Sequence, residues 1–384
     1  MNSKERVKAA IARQPVDRIP LGFYVVDCDT IERVIGHKTY VRNKIAATLA
    51  LWDGRRDEVV ESYKKDTVEF YNKIGCADLI TFKEAPIVPP KGYDPGEPPR
   101  RTSDDTWEDS DGSIYKISHL SNEIVRVHSP AVYDTESFTE DQFPEYDESE
   151  FTPPDPSVFE ACDYVIEALG NDRYIAGSSG GVVACTLLGD DVTGWMMYAL
   201  KPEVVRAANR RYTRQANLND RYYIRPGQDG VLLEQDIASS KGPMLSPAQF
   251  RENCLPYLAE RVRNVKGYGQ QALFHNCGDN RALMGMFVEA GIDCYQSLQT
   301  IAGMEIGALQ DEFGHAMSFW GGISVETLVS GTPDDVRGNV RQAMERGRRG
   351  PGFILGPSHS VAYGTKYDNF MALLDEYTRL ADRL

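Results

Sequence analysis

Apolar and polar positions along this chain follow two periods. Near the start, Val7, Ala10 and Ile11 keep the three- and four-residue spacing of an amphipathic helix, with Ser3 as the expected cap and Gln14-Pro15 as the stop. Arg18-Ile19-Pro20-Leu21 then reads as extended chain. The helical spacing returns over residues 41–74, and CADLITF at 76–82 reads as a short buried strand. Residues 86–157 break the alternation. Pro and Gly crowd PIVPPKGYDPGEPPRR, a hairpin is expected in WEDSDGSIYKI with its turn at Asp111-Gly112, and 134–157 is acidic and proline-bearing. From 158 onward helical stretches alternate with the apolar runs YIAGSSGG, GVLLEQD, QALFHNCG, GIDCYQS, MSFWGGI and FILGPSH.

Strands that alternate regularly with helices imply parallel βαβ units. About eight such strands, with no GxGxxG in the first turn, favour a barrel over a doubly wound sheet. The expected fold is therefore α/β, a (β/α)8 TIM barrel built as one domain over 1–384. It has an N-terminal helical lead-in, and 86–157 is an inserted hairpin and loop region near the barrel mouth.

Composition narrows the partners. With 384 residues, 41% hydrophobic and 26% charged, disorder, collagen and disulfide scaffolds are excluded. Lys plus Arg is 42 against 57 for Asp plus Glu, and a net charge of −15 repels polyanions, so neither nucleic acid nor anionic membrane is an expected partner. The first residues lack the apolar run of a signal peptide and no later segment reaches a membrane span, so a cytoplasmic location is expected. Seven widely spaced cysteines, an odd number, read as thiols.

In a barrel of this kind the chemistry sits where strands end, so the polar residues closing each apolar run are the candidates. His275 and Cys277 in QALFHNCG point the same way along a strand, and an imidazole with a thiolate is a good zinc ligand pair. On spacing alone they could equally be one buried cysteine and one hydrogen-bonded histidine. His359 in FILGPSHS can reach the same mouth, or only hydrogen-bond within its loop. Glu234 and Asp236 share a face in LLEQD, with Lys241 following in the loop; a carboxylate there can ligate metal, act as base, or be structural. Glu84 ends the strand LITFKE, where salt bridging is the plain alternative. The glycine-rich AGSSGG at 176–181 lacks the Gly-Lys-Ser/Thr of a P-loop and reads as a tight turn where a helix packs closely. Acyl-transfer hydrolysis is not expected.

Six segments in order resemble the uroporphyrinogen decarboxylase superfamily, which includes porphyrin decarboxylases and the zinc-dependent methyltransferases of corrinoid systems. They are SKERVKAAIARQPVDRIP, LITFKEAP, DIASSKGPMLSPAQFRENCLPY, HNCG, GIDCYQSLQTIAGMEI with FGHAMSFWGGI, and FILGPSHSV. The resemblance covers most of the chain and implies a (β/α)8 barrel. The porphyrin enzymes carry an arginine-rich loop after the first strand, suited to bidentate recognition of carboxylates. Here that stretch reads GFYVVDCDT, with Asp27 and Asp29 and no arginine. His359 matches those enzymes' strand-end histidine, and Glu84 stands where they place an aspartate.

The methyltransferase branch is matched by His275-x-Cys277, its first two zinc ligands; its third is usually a cysteine where this chain has His359. The region 100–128, with Trp107, also resembles that branch. The implied function is zinc-dependent methyl transfer between a small O-, N- or S-methylated compound and a corrinoid (cobalamin). The metal ligands would be His275, Cys277 and a third from among His359, Asp236 and Glu234. Glu84, Asp236 and His359 are the implied catalytic groups, and Tyr24, Trp107, Glu234 and Lys241 the implied substrate-binding ones. A separate corrinoid protein and a homodimer are compatible partners. The competing readings are a metal-free decarboxylase or lyase acting on an acidic substrate, for which Lys83, Lys241 and Arg281 are the evident cations, and a catalytically silent barrel used as a binding module.

Overall fold

A computed structural model describes residues 1–381. Seven parallel strands lie side by side in chain order: Leu79–Thr81, Tyr174–Ser178, Gly230–Glu234, Gln271–His275, Cys294–Gln296, Ser318–Ile323 and Phe353–Pro357. The extended segment expected near residue 20 supplies the eighth position. Leu21 bridges Leu355 and Gly22 bridges Leu79, both in parallel sense, so this segment joins the last strand to the first and closes the barrel. Gly22 N donates to the Leu355 carbonyl at 2.9 Å and Phe23 N to the Leu79 carbonyl at 3.3 Å. Glycine is needed at 22, because a Cβ there would sit 3.0 Å from Trp320 Nε1, which donates to the Gly22 carbonyl at 3.1 Å.

The period of two along each strand sorts the core. Leu79, Tyr174, Leu232, Leu273, Cys294 and Trp320 point inward into one buried cluster, while Ile80, Ile175, Leu233, Phe274, Tyr295 and Phe319 pack outward in the cluster shared with the helices. Helix Ser3–Ile11 joins the inner cluster through Val7, Ala10 and Ile11. Lys4 N donates to the Asp172 carbonyl and Lys8 Nζ lies 2.7 Å from Asp229, so this helix closes the end where the strands begin. Its cap is Asn2, in a reciprocal capping box with Glu5, one residue before the expected Ser3. The helical pattern over 41–74 is two helices, Lys44–Trp52 and Arg56–Ile74, separated at Gly54, whose φ is 73°.

Segment 86–157 contains the expected hairpin, Thr106–Glu108 with Ile114–Ser118, turning through Gly112 at φ 85°. Two further strands, Arg100–Ser103 and Glu123–His128, extend it to a four-stranded antiparallel sheet. This sheet rests on helix Lys44–Trp52, with Trp52 edge-on to Trp107 at 5.9 Å and Lys44 Nζ 2.8 Å from Glu123. The remainder follows helix Pro202–Tyr223, through Phe143 on Tyr212 and an Arg211–Glu150 ion pair of 2.5 Å. All seven cysteines are free thiols. Among the described residues no helix is long and apolar enough to cross a membrane.

Candidate metal centre

The inward face of the barrel turns polar at the strand ends. Two residues beyond Leu232, Leu273 and Cys294 stand Glu234, His275 and Gln296, and strand register sets His275 directly beside both of the others. Just past its strand Cys277 joins them, where the chain turns at Gly278 with φ 89°. His359 arrives from the loop after Phe353–Pro357. One nitrogen of each histidine and the Cys277 sulfur all lie within 4.8 Å of one another, with Cys277 Sγ 3.4 Å from His275 Nε2.

His275 is held on two sides. Its Nδ1 hydrogen-bonds to Gln296 Oε1; an amide oxygen only accepts, so Nδ1 carries the proton and the Nε2 lone pair faces Cys277. Its ring stacks on Tyr24 at 4.1 Å and 3° between planes, and His359 meets both rings edge-on at 5.1 and 5.2 Å. Tyr24 donates its hydroxyl to Glu234 Oε1 at 2.5 Å, and Lys83 Nζ approaches the same oxygen at 2.7 Å. Asp236 Oδ1 accepts from Cys277 N at 2.7 Å and lies 3.8 Å from His275 Nε2.

Burial governs the ionisation here. It lowers the pKa of His275, and burial together with neighbouring His275 takes His359 down to about 4, so both imidazoles are neutral near pH 7. Burial, with the Asp236 carboxylate adding to it, pushes the Cys277 thiol up to about 12. Two neutral imidazoles and one half-buried thiol form a donor set suited to zinc. Donors at zinc bond lengths of about 2.0–2.3 Å in tetrahedral geometry stand about 3.5 Å apart, against 3.4 Å between Cys277 Sγ and His275 Nε2. The residues therefore fit a zinc ion, and the nearby cation would hold Cys277 as thiolate.

The other sequence candidates fall in different places. Glu234 and Tyr24 belong to the wall beside His275, and Asp236 to its rim. Glu84 is buried beneath the first loop, where its Oε1 accepts from Val26 N at 2.7 Å, with no contact to the histidines. Trp107 packs with Trp52 and Arg101 in the inserted sheet. Lys241 is exposed at the tip of the Ala238–Ser239 and Gly242–Pro243 hairpin, and Arg281 is bound to Asp279 at 3.0 Å.

The segment 176–181 is a close-packing turn, as the sequence suggests: a Cβ on Gly180 would lie 2.5 Å from Asn219 Cβ. Its residues 177–181 do carry the GxSxG spacing of a hydrolase nucleophile. However, Ser179 Oγ donates to the Gly181 carbonyl at 3.4 Å and has no histidine partner, which is not a triad. Gln296 and Ser297 are site residues that strand-end inspection of CYQS could have found; Cys277 receives a hydrogen bond from Ser297 Oγ at 3.3 Å.

A family model described as uroporphyrinogen decarboxylase (URO-D) matches residues 117–380. Among solved structures, a methyltransferase from Methanosarcina mazei superposes with a TM-score of 0.67 at 16% identity, covering 99% of both chains, which establishes a shared fold. The GH18 chitinase ChiB of Flavobacterium johnsoniae aligns over 62% of this chain and 84% of its own at 12% identity, with a TM-score of only 0.32. No curated protein matches the sequence.

Proposed function

The chain belongs to the uroporphyrinogen decarboxylase family, and on that premise we propose that it is a zinc-dependent methyltransferase, moving a methyl group between a small O-, N- or S-methylated compound and a corrinoid. The observation that carries this reading is the convergence of His275, Cys277 and His359 within 4.8 Å at the strand-end mouth. These three side chains would hold the ion. Bound zinc supplies Lewis acidity toward the heteroatom that bears the methyl group, or keeps a thiol as thiolate. Gln296 holds His275 with Nε2 directed to the ligand cluster. Asp236, 3.8 Å from that nitrogen, would complete the donor set or accept a proton from a bound group. Tyr24, Glu234 and Lys83 form a fixed polar wall, because the one carboxylate oxygen engages both the phenol and the ammonium.

A metal-free decarboxylase acting on a polycarboxylate needs a cluster of free cations at the mouth, whereas Lys83 is bound to Glu234 and Arg281 to Asp279, which leaves Lys241 alone at its exposed hairpin tip. The test is elemental analysis of protein purified without added metal, paired with cobalamin absorption during incubation with methoxylated, methylamine and methylthiol donors. One zinc per chain, lost in Cys277→Ala, and methyl transfer abolished by chelation and in His275→Ala are the expected results. Substoichiometric metal that is unchanged in Cys277→Ala overturns the proposal.

A further inference from the structure

Strand Cys294–Gln296 ends beside the candidate ligands and runs on into Ser297. Gln296 is fully buried, stands in register with His275, and engages its Nδ1; Gln296 Nε2 is itself buried without a partner. That amide is therefore kept in the barrel interior for its oxygen alone, although the unpaired N–H group carries a desolvation penalty. One residue on, fully buried Ser297 donates its hydroxyl to Cys277 Sγ at 3.3 Å. Two adjacent residues thus each address one of two candidate ligands that are themselves two residues apart on the neighbouring segment.

Successive side chains of a regular strand point to opposite faces, so neighbours can reach one site only if the backbone turns between them. It does. Ser297 has φ 91°, a left-handed conformation that is rare for a residue with a Cβ and that glycine adopts freely. Asn276 N donates to the Gln296 carbonyl at 3.3 Å and ties the two segments together at this point. A backbone outlier among buried groups that aim at ligand atoms is where strain accompanies function.

We infer that Gln296 and Ser297 act together as a positioning element for the metal ligands. Gln296 fixes His275 as the Nδ1–H tautomer with Nε2 free to ligate, and Ser297 orients Cys277 Sγ toward it. Neither residue touches substrate. The inference rests on the reading that His275, Cys277 and His359 hold zinc, and goes beyond it by naming what presets their geometry.

The experiment titrates Co2+ into the metal-free full-length chain, following the thiolate-to-cobalt and d–d absorption bands, and obtains zinc affinity by competition. Metal-free thermal melts are recorded beside each titration. Gln296→Ala is expected to weaken metal binding about 10- to 100-fold, and Gln296→Glu, which keeps an acceptor opposite Nδ1, to restore most of it. Ser297→Gly is the discriminating variant. Glycine adopts φ 91° without penalty, so the metal-free Tm stays level or rises while the thiolate-to-cobalt band shifts and affinity falls. A purely structural serine would lower Tm and leave the band unmoved. Wild-type affinity and spectra in both Gln296→Ala and Ser297→Gly overturn the inference. A wild-type chain that binds no cobalt overturns the zinc reading itself, and that failure is recognised before any variant is measured.

Discussion

Glu84 lies three residues past its strand with no solvent exposure, and burial raises its pKa from 4.5 to about 7 against the opposing pull of the Val26 N–H and of Arg42. A group whose folded-state pKa is raised favours folding while protonated. Its contribution is fully present below the unfolded value near 4.5 and is lost as the pH climbs through 7. The loss is worth on the order of 3 kcal/mol. Glu84→Gln, which keeps the acceptor for Val26, should therefore raise Tm by several degrees at pH 8, and the gain should shrink by about half at pH 5.5. Thermal melts at the two pH values check this; a difference independent of pH would refute it. The same residue shows what strand-end reading can and cannot deliver. Strand ends were legible, and for His275 and Glu234 the period of two gave the inward direction. Glu84 lies beyond the last sheet residue, Thr81, where that period no longer applies, and the chain turns its carboxylate under the first loop.

Between elements, the least exposed ion pair is Arg261 with Asp220, both fully buried and joined at 2.6 and 3.0 Å. Arg261 Nε also donates to the Val182 carbonyl and Asp220 Oδ1 accepts from Gly180 N, so the pair fastens the glycine-rich turn to helices Pro202–Tyr223 and Leu255–Gly267. Removing one partner of such a pair strands a buried charge, which typically costs about 3–5 kcal/mol. Arg261→Leu should lose that much in urea unfolding, and adding Asp220→Leu should recover part of it. A double variant less stable than Arg261→Leu would contradict the argument. The close packing of this turn was legible from its glycines. The pairing was not, because Asp220 and Arg261 are 41 positions apart on different helices. The flanking strands Arg100–Ser103 and Glu123–His128 were missed for a related reason: every residue of the first is exposed and the second buries none fully, so neither shows a buried alternating face.

At the scale of the molecule, barrel closure and mouth chemistry meet at one seam. The segment that closes the barrel continues into the loop 23–27 and the helix Cys28–Ile35, and two acids, Asp27 and Asp29, tie this stretch to the last loop. Asp27 Oδ1 takes Arg42 Nε at 3.0 Å, its Oδ2 accepts from Tyr363 N at 3.0 Å, and Asp29 Oδ2 accepts from Gly364 N at 2.7 Å. Arg42 is thereby paired already, and the two acids serve as braces across the rim. A polycarboxylate entering here would meet Asp27, Asp29, Glu234 and Asp236 in a protein of net charge −15. Each uncompensated like charge raises the binding cost, and more so as water leaves the site. Purified protein incubated with uroporphyrinogen should therefore show no decarboxylation, and Arg42→Ala should leave that result unchanged, since the arginine stabilises the seam and offers no free cation to a substrate. Release of carbon dioxide from uroporphyrinogen at a useful rate would overturn this reading and favour the metal-free lyase, because the substrate carboxylates would then have found cationic partners at this mouth.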